Sequence, residues 1–147
     1  MTLAENAADR QLQELAVLAQ EDLKADRCTI YEVSPDRKEV WSRVALGLVG
    51  ISIRLPLSRG LVGAVARTGQ TLNLKDAYND PRFDRSTDQR SGYRTKSLLT
   101  MPIRDPRRRV IGVFQALNNQ AGAFTAEDEA KLQRYCESAA QLLAPVS

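Results

Sequence analysis

The chemistry open to this chain is bounded first by what it lacks: there is no histidine, and the two cysteines, Cys28 and Cys136, each sit inside an apolar run. Without an imidazole the chain cannot assemble a Ser-His-Asp or Cys-His nucleophile, a histidine-ligated haem or an ordinary zinc enzyme site. No metal or haem is therefore expected, and the two thiols read as reduced core residues rather than a disulfide. Arginine is the other conspicuous group. Arg104 and Arg107 to Arg109 crowd the Asp105-Pro106 turn between two apolar runs, as in a solvated hairpin tip; phosphate binding by arginines needs a broader patch. The 21 basic and 18 acidic side chains are spread along the chain, so the net charge of +3 does not argue for a nucleic-acid partner.

These groups must be held by a fold, and 147 residues are enough to bury a core in one unit, taken as residues 1–147. An apolar fraction of 43% against 27% charged is that of an ordinary soluble domain. Met1 to Arg10 carries acids and has no apolar secretory stretch, and no run reaches membrane length, so a cytoplasmic location without a membrane partner is expected.

Periodicity supplies the elements. From about Ala4 to Leu23, Leu12, Leu15, Ala16, Leu18, Ala19 and Leu23 recur at helical spacing, making residues 1–24 an N-terminal amphipathic helix. Cys28 to Val33 and Val40 to Val44 flank a Ser34-Pro35-Asp36-Arg37 turn and predict a hairpin; Gly50 to Leu57 alternates Ile51, Ile53 and Leu55 with polar residues and predicts a third strand. Gly60 to Gly69 suits a helix closed by a left-handed glycine, followed by a short extended piece, Thr71 to Leu74. Asp76 to Thr95 turns polar and irregular, as a lid would, and Phe83 is expected to plug into the core. Ser97 to Ile103 and Val110 to Leu117 form the hairpin expected at the middle of the sheet. A second long helix begins at Thr125, which can cap it, and makes up residues 125–147. The expected fold is α+β: a central antiparallel sheet over 25–124, helices packed on one face, and a helix/loop lid over a ligand pocket on the other.

Beyond pattern, particular residues stand in a familiar order. Gly60-Leu61-Val62-Gly63 through Gly69, Asn79-Asp80-Pro81-Arg82-Phe83, Gly92-Tyr93-Arg94-Thr95, Pro102-Ile103 and Asn118…Phe124…Asp128-Glu129 resemble the GAF family. The likeness is to GAF domains of cyclic-nucleotide phosphodiesterases, bacterial adenylate cyclases and sensor kinases. It implies a regulatory sensor domain that binds a small ligand and controls an attached output domain of the kinase or cyclase class. It also implies a homodimer through the terminal helices. Ligand contacts carried over from such relatives fall on Thr29, Leu61, Val62, Asp88, Ser91 and Thr95. Val44, Ala45 and Gln115 stand where relatives read a purine with an aromatic residue, a carboxylate and a glutamate. Asn118, Phe124, Asp128 and Glu129 match the family's structural signature, with Asn119 in place of a lysine that bridges to the aspartate. A cyclic nucleotide is the cofactor the resemblance suggests, while a bilin is not expected because the lid has no cysteine.

Each site residue also has a plainer reading. Small hydroxyl residues satisfy turns and strand ends, and Asp88, among Arg85, Arg90 and Arg94, suits a solvated ion-pair loop. Two further family roles stay open: a ligand-free dimerisation module, and a free methionine sulfoxide reductase working through cysteine.

Overall fold

The computed structural model describes residues 3–46, 52–83 and 85–143. Helix α1 spans Leu3–Asp22, followed by strands β1, Ala25–Val33, β2, Glu39–Ala45, and β3, Arg54–Pro56. Helix α2 is Gly60–Thr68 and β4 is Leu72–Leu74; a 3-10 turn at Ala77–Asn79 and helix α3, Ser86–Ser91, precede β5, Leu98–Arg104, β6, Val110–Asn119, and helix α4, Ala126–Leu143. The segment from Asp76 to Thr95, expected to be irregular, thus contains two helical turns. The third strand is shorter than its alternation predicts, with Ile53 just ahead of it and buried; Gly50 and Ile51 lie outside the described residues.

Six strands form one antiparallel sheet in the order β3-β2-β1-β6-β5-β4. The β5–β6 hairpin is therefore displaced from the expected middle, which falls between β1 and β6. These are the two longest strands, nine and ten residues, and their mutual pairing satisfies the most buried backbone groups.

Alternation along the strands then sorts two faces. Cys28 and Ile30 of β1, Leu99, Met101 and Ile103 of β5, and Phe114 and Ala116 of β6 point to a core shared with Leu12, Ala16 and Leu23 of α1 and Leu132, Cys136 and Ala139 of α4. On the opposite face Tyr31, Val33, Val40 and Val113 pack on Val62, Val65 and Ala66 of α2. Val44 belongs to the first core, so its side chain serves the α1–α4 layer. With both faces covered, the central strands carry few of the polar residues that would mark a solvated side.

The ends of the elements are closed by particular residues. Gly69, at φ +71°, ends α2 in the left-handed conformation and donates its N–H to the Val65 carbonyl at 2.8 Å. Thr125 and Asp128 cap α4 reciprocally: the Asp128 N–H donates to Thr125 Oγ1 at 3.1 Å, and the Thr125 N–H donates to Asp128 Oδ2 at 2.8 Å. Asn119, in the lysine's place, donates to the Leu23 carbonyl at 3.1 Å and more loosely to Asp128 at 3.4 Å. Asn73 donates to Glu129 and to the Phe124 carbonyl, both at 3.0 Å, and Phe124 itself is buried. The arginine-rich turn is a hairpin tip, where Arg109 pairs with Asp105 at 3.1 Å and Arg104 donates to the Gly69 carbonyl.

Gly112 marks the tightest approach of β6 to its neighbours. A Cβ there would lie 2.5 Å from the Tyr31 carbonyl oxygen and 2.7 Å from Leu143 Cδ1. A backbone carbonyl in a central pairing cannot yield, so Gly112→Ala is expected to destabilise by about 1–3 kcal/mol. Urea unfolding followed by circular dichroism measures it.

Candidate functional site

Between the sheet, the start of α2 and the 76–95 segment lies a cavity of about 60 Å³. Its floor is the odd-numbered face of β1, Arg27, Thr29 and Tyr31, joined by Gln115 and Leu117 of β6. Arg59, Gly60, Leu61 and Val62 close one side, Ile53 and Leu55 another, and Phe83, Asp88, Tyr93 and Thr95 cover it. Five of the six carried-over ligand contacts, Thr29, Leu61, Val62, Asp88 and Thr95, thus meet at one place, together with Gln115 from the purine-reading positions. Ser91 closes α3 with its backbone, while its side chain lies outside the described residues. Neither Val44 nor Ala45 reaches the cavity.

Registration explains the polar floor. Thr29 is opposite Gln115, and Gln115 is opposite Thr100, so one polar row crosses three central strands, with Arg27 beside it on the same face. Gln115 Nε2 donates to Thr100 Oγ1 at 3.0 Å. Among the described residues nothing donates to Gln115 Oε1, and neither the Thr29 hydroxyl nor the Tyr31 hydroxyl has a hydrogen-bond partner, although all three residues are at least nine-tenths buried. Among the described residues no fully enclosed side-chain oxygen or nitrogen is left unpaired, so these are atoms that touch the cavity. Burial also pushes the Tyr31 hydroxyl pKa well upward, against the pull of Arg90, so it is a neutral donor at physiological pH.

The cover is braced by hydrogen bonds. Asp88, read from sequence as a solvated ion-pair residue, is buried instead: it accepts from Tyr78 Oη at 2.7 Å, from the Thr95 N–H at 2.7 Å and from Thr95 Oγ1 at 2.9 Å. Three donors can hold a carboxylate away from water. Arg85 and Arg94 stack on the Tyr78 ring. Asn118, in the left-handed region at φ +55°, fastens the segment's end to β6. Its Oδ1 accepts from the N–H groups of Lys96 and Ser97, and its Nδ2 donates to Tyr93 Oη and the Arg94 carbonyl. Phe83 packs against Leu61, Ala77 and Leu98, as expected of a plug.

Arg27, Tyr31, Arg59 and Tyr93 were not singled out from sequence. The period of two was the available signal for the first two, since residues 27, 29 and 31 of one strand share a face. Arg59 immediately precedes the glycine that opens α2, and Tyr93 lies inside a recognised motif.

A curled six-stranded antiparallel sheet with helices on both faces defines the class of fold, and the comparisons name the family. The GAF domain family model matches residues 8–143, so the chain belongs to the GAF domain family. It is 37% identical over 124 residues to the dual 3',5'-cyclic-AMP and -GMP phosphodiesterase 11A of Takifugu rubripes; the match takes in 76% of this chain and only 14% of that protein. Among solved structures it resembles the GAF domain of the Acinetobacter phosphoenolpyruvate-protein phosphotransferase, with 25% identity, TM-score 0.73, and coverage of 97% of this chain and 94% of that one. The type II free methionine-R-sulfoxide reductase of Thermoplasma acidophilum shares the fold at 20% identity and TM-score 0.81, covering 95% and 94%. No helix among the described residues is long and apolar enough to cross a membrane.

Both cysteines are buried in the α1–α4 core, away from the cavity. Burial raises the Cys28 pKa to about 12 and that of Cys136 further. At pH 8 a thiol with a pKa of about 12 is ionised to about one part in ten thousand, and the thiolate is the reactive form. Both cysteines are thus expected to resist iodoacetamide at pH 8 in the native protein and to react fully in 6 M guanidinium (about that concentration unfolds most domains), as read by intact mass.

Proposed function

We propose that this GAF domain is a regulatory sensor that holds a small molecule in the cavity between the sheet and the 76–95 segment and thereby controls an attached output domain. The observation that carries the reading is the convergence of Thr29, Tyr31 and Gln115, buried polar groups with hydrogen-bonding capacity that the described residues leave unused. Burying such a group without a partner costs about 1–3 kcal/mol, and a ligand that supplies the partner recovers it. Closure of the cover would be the change that binding favours, transmitted through Asn118 to β6 and so to the helix layer. The match to a small fraction of a phosphodiesterase supports an attached output domain; the kinase or nucleotide cyclase class and a place in the cytoplasm are carried over from the family resemblance and the sequence.

The ligand is a cyclic-nucleotide-like molecule or another small metabolite. A cavity of about 60 Å³ holds roughly four or five waters, so a cyclic nucleotide requires the 76–95 segment to move outward, whereas a small metabolite fits with it in place. A catalytic role through thiol chemistry is disfavoured because both cysteines are buried in the core on the other face of the sheet and neither lines the cavity. The second reading, a ligand-free dimerisation module, is favoured by Val17 and Leu18, 36% and 55% exposed on α1.

Calorimetry and thermal shift with cyclic AMP, cyclic GMP and a metabolite panel separate the two. A ligand at a hundredfold its Kd stabilises by about 2.7 kcal/mol. Under the sensor reading, Thr29→Val and Gln115→Met each weaken that ligand by about tenfold. Absence of any shift across the panel supports the module.

A further inference from the structure

The charge on the cavity wall narrows the class of ligand. Arg27 is half-buried there, and among the described residues it forms neither an ion pair nor a hydrogen bond. Its guanidinium carbon rests 3.7 Å from the centroid of the Tyr93 ring. Stacking uses the face of a guanidinium and leaves the donors in its plane free for an acceptor. Arg59 lines the same cavity, also without an acceptor among the described residues. As the residue before α2 it makes no side-chain cap, so the first N–H groups of that helix meet no capping side chain at the cavity. The one carboxylate lining the cavity among the described residues, Asp88, already accepts three hydrogen bonds from Tyr78 and Thr95.

Among the described residues, two arginines thus share the lining with a single, internally occupied carboxylate, beside buried hydroxyl donors at Thr29 and Tyr31 that have no partner. A neutral ligand would leave the plane of Arg27 unmatched, whereas an oxyanion offers a forked acceptor to it. We propose that the cavity binds a small acid whose carboxylate or phosphate oxygens sit on Arg27, supported from α2 by Arg59, with the rest of the molecule toward Thr29 and Gln115. The proposal rests on the reading of the cavity as a ligand site and specifies what that ligand must carry. The available space limits the acid to a few non-hydrogen atoms while the 76–95 segment stays in place. Because Tyr93 donates to Asp26 at 2.7 Å and accepts from Asn118 at 2.8 Å, an acid drawn to Arg27 also bears on the ring that ties the cover to β1 and β6.

The test is an NMR titration of the whole chain at constant ionic strength with sodium acetate, inorganic phosphate and acetamide, following the Arg27 side-chain Nε–Hε signal and the amides of Gly60, Leu61 and Thr29. Saturable shifts at these signals with acetate or phosphate, but not with acetamide, are expected, and the stronger of the two anions identifies the head group. Arg27→Met should weaken that anion at least about tenfold while keeping a dispersed native spectrum, and Arg27→Lys should fall between. If Arg27→Met loses its native spectrum, Arg59→Met at the exposed rim supplies the same comparison, with a smaller loss expected. Saturation by acetamide as tight as by acetate, or undiminished anion binding in the folded variants, overturns the acid while leaving a ligand site. If none of the three probes, nor any compound of the metabolite panel, perturbs Thr29 or Gln115, the ligand-site reading falls as well.

Discussion

A sheet covered on both faces has no solvent to offer its polar side chains, and most of what is distinctive here follows from that constraint. The row Thr29–Gln115–Thr100 crosses the three central strands on the face that α2 and the 76–95 segment cover. Thr100 and the Gln115 amide nitrogen satisfy each other; Thr29, Tyr31 and the Gln115 carbonyl are left facing a cavity. An apolar row would pack this face with less cost, so the polar row stands against stability, as the proposed ligand site would require.

The cavity is kept by hydrogen bonds that lie beside it. Asp88 gathers Tyr78 and both the N–H and the hydroxyl of Thr95, and Asn118 gathers the backbone of Arg94, Lys96 and Ser97 together with Tyr93. Both residues spend their side chains on local backbone and phenol groups, which fixes the route of the cover without filling the space beneath it. The opposite layer, α1 and α4 on the sheet, has an apolar core, with polar contacts such as Arg43–Asp9 and Tyr135–Asp22 at its margin and Asp128, Thr125, Asn119 and Asn73 at its ends. The two faces thus differ in kind: one is a core, and the other encloses the cavity.

Much of this was legible in the chain. Gly69 announced the end of α2 because only a residue tolerant of positive φ closes a helix that way, and Thr125 announced α4 because its hydroxyl can meet the Asp128 N–H. The family likeness located Thr29, Leu61, Val62, Asp88, Thr95 and Gln115, and these do assemble around one cavity. Strand order was not legible, because the pairing of β1 with β6 joins residues some ninety positions apart in sequence and no local pattern encodes it. Arg27 and Tyr31 were overlooked for a related reason: a strand buried on both sides loses the contrast that separates one face from the other. Asp88 was misplaced into solvent because three neighbouring arginines suggested ion pairs, whereas Tyr78 and Thr95, ten and seven residues away, supply neutral donors.

On the proposed reading the Thr29 and Tyr31 hydroxyls serve a ligand and not the fold. The most direct measurement is the unfolding free energy of the doubly substituted Thr29→Val, Tyr31→Phe protein, purified free of small molecules, against the parent chain. If the hydroxyls have no partner in the folded protein, removing them leaves stability unchanged or raises it, since apolar replacements of similar shape shed an unmet desolvation cost. A loss of more than about 1 kcal/mol would mean that both groups hold the fold together through bonds of their own, and would contradict the account.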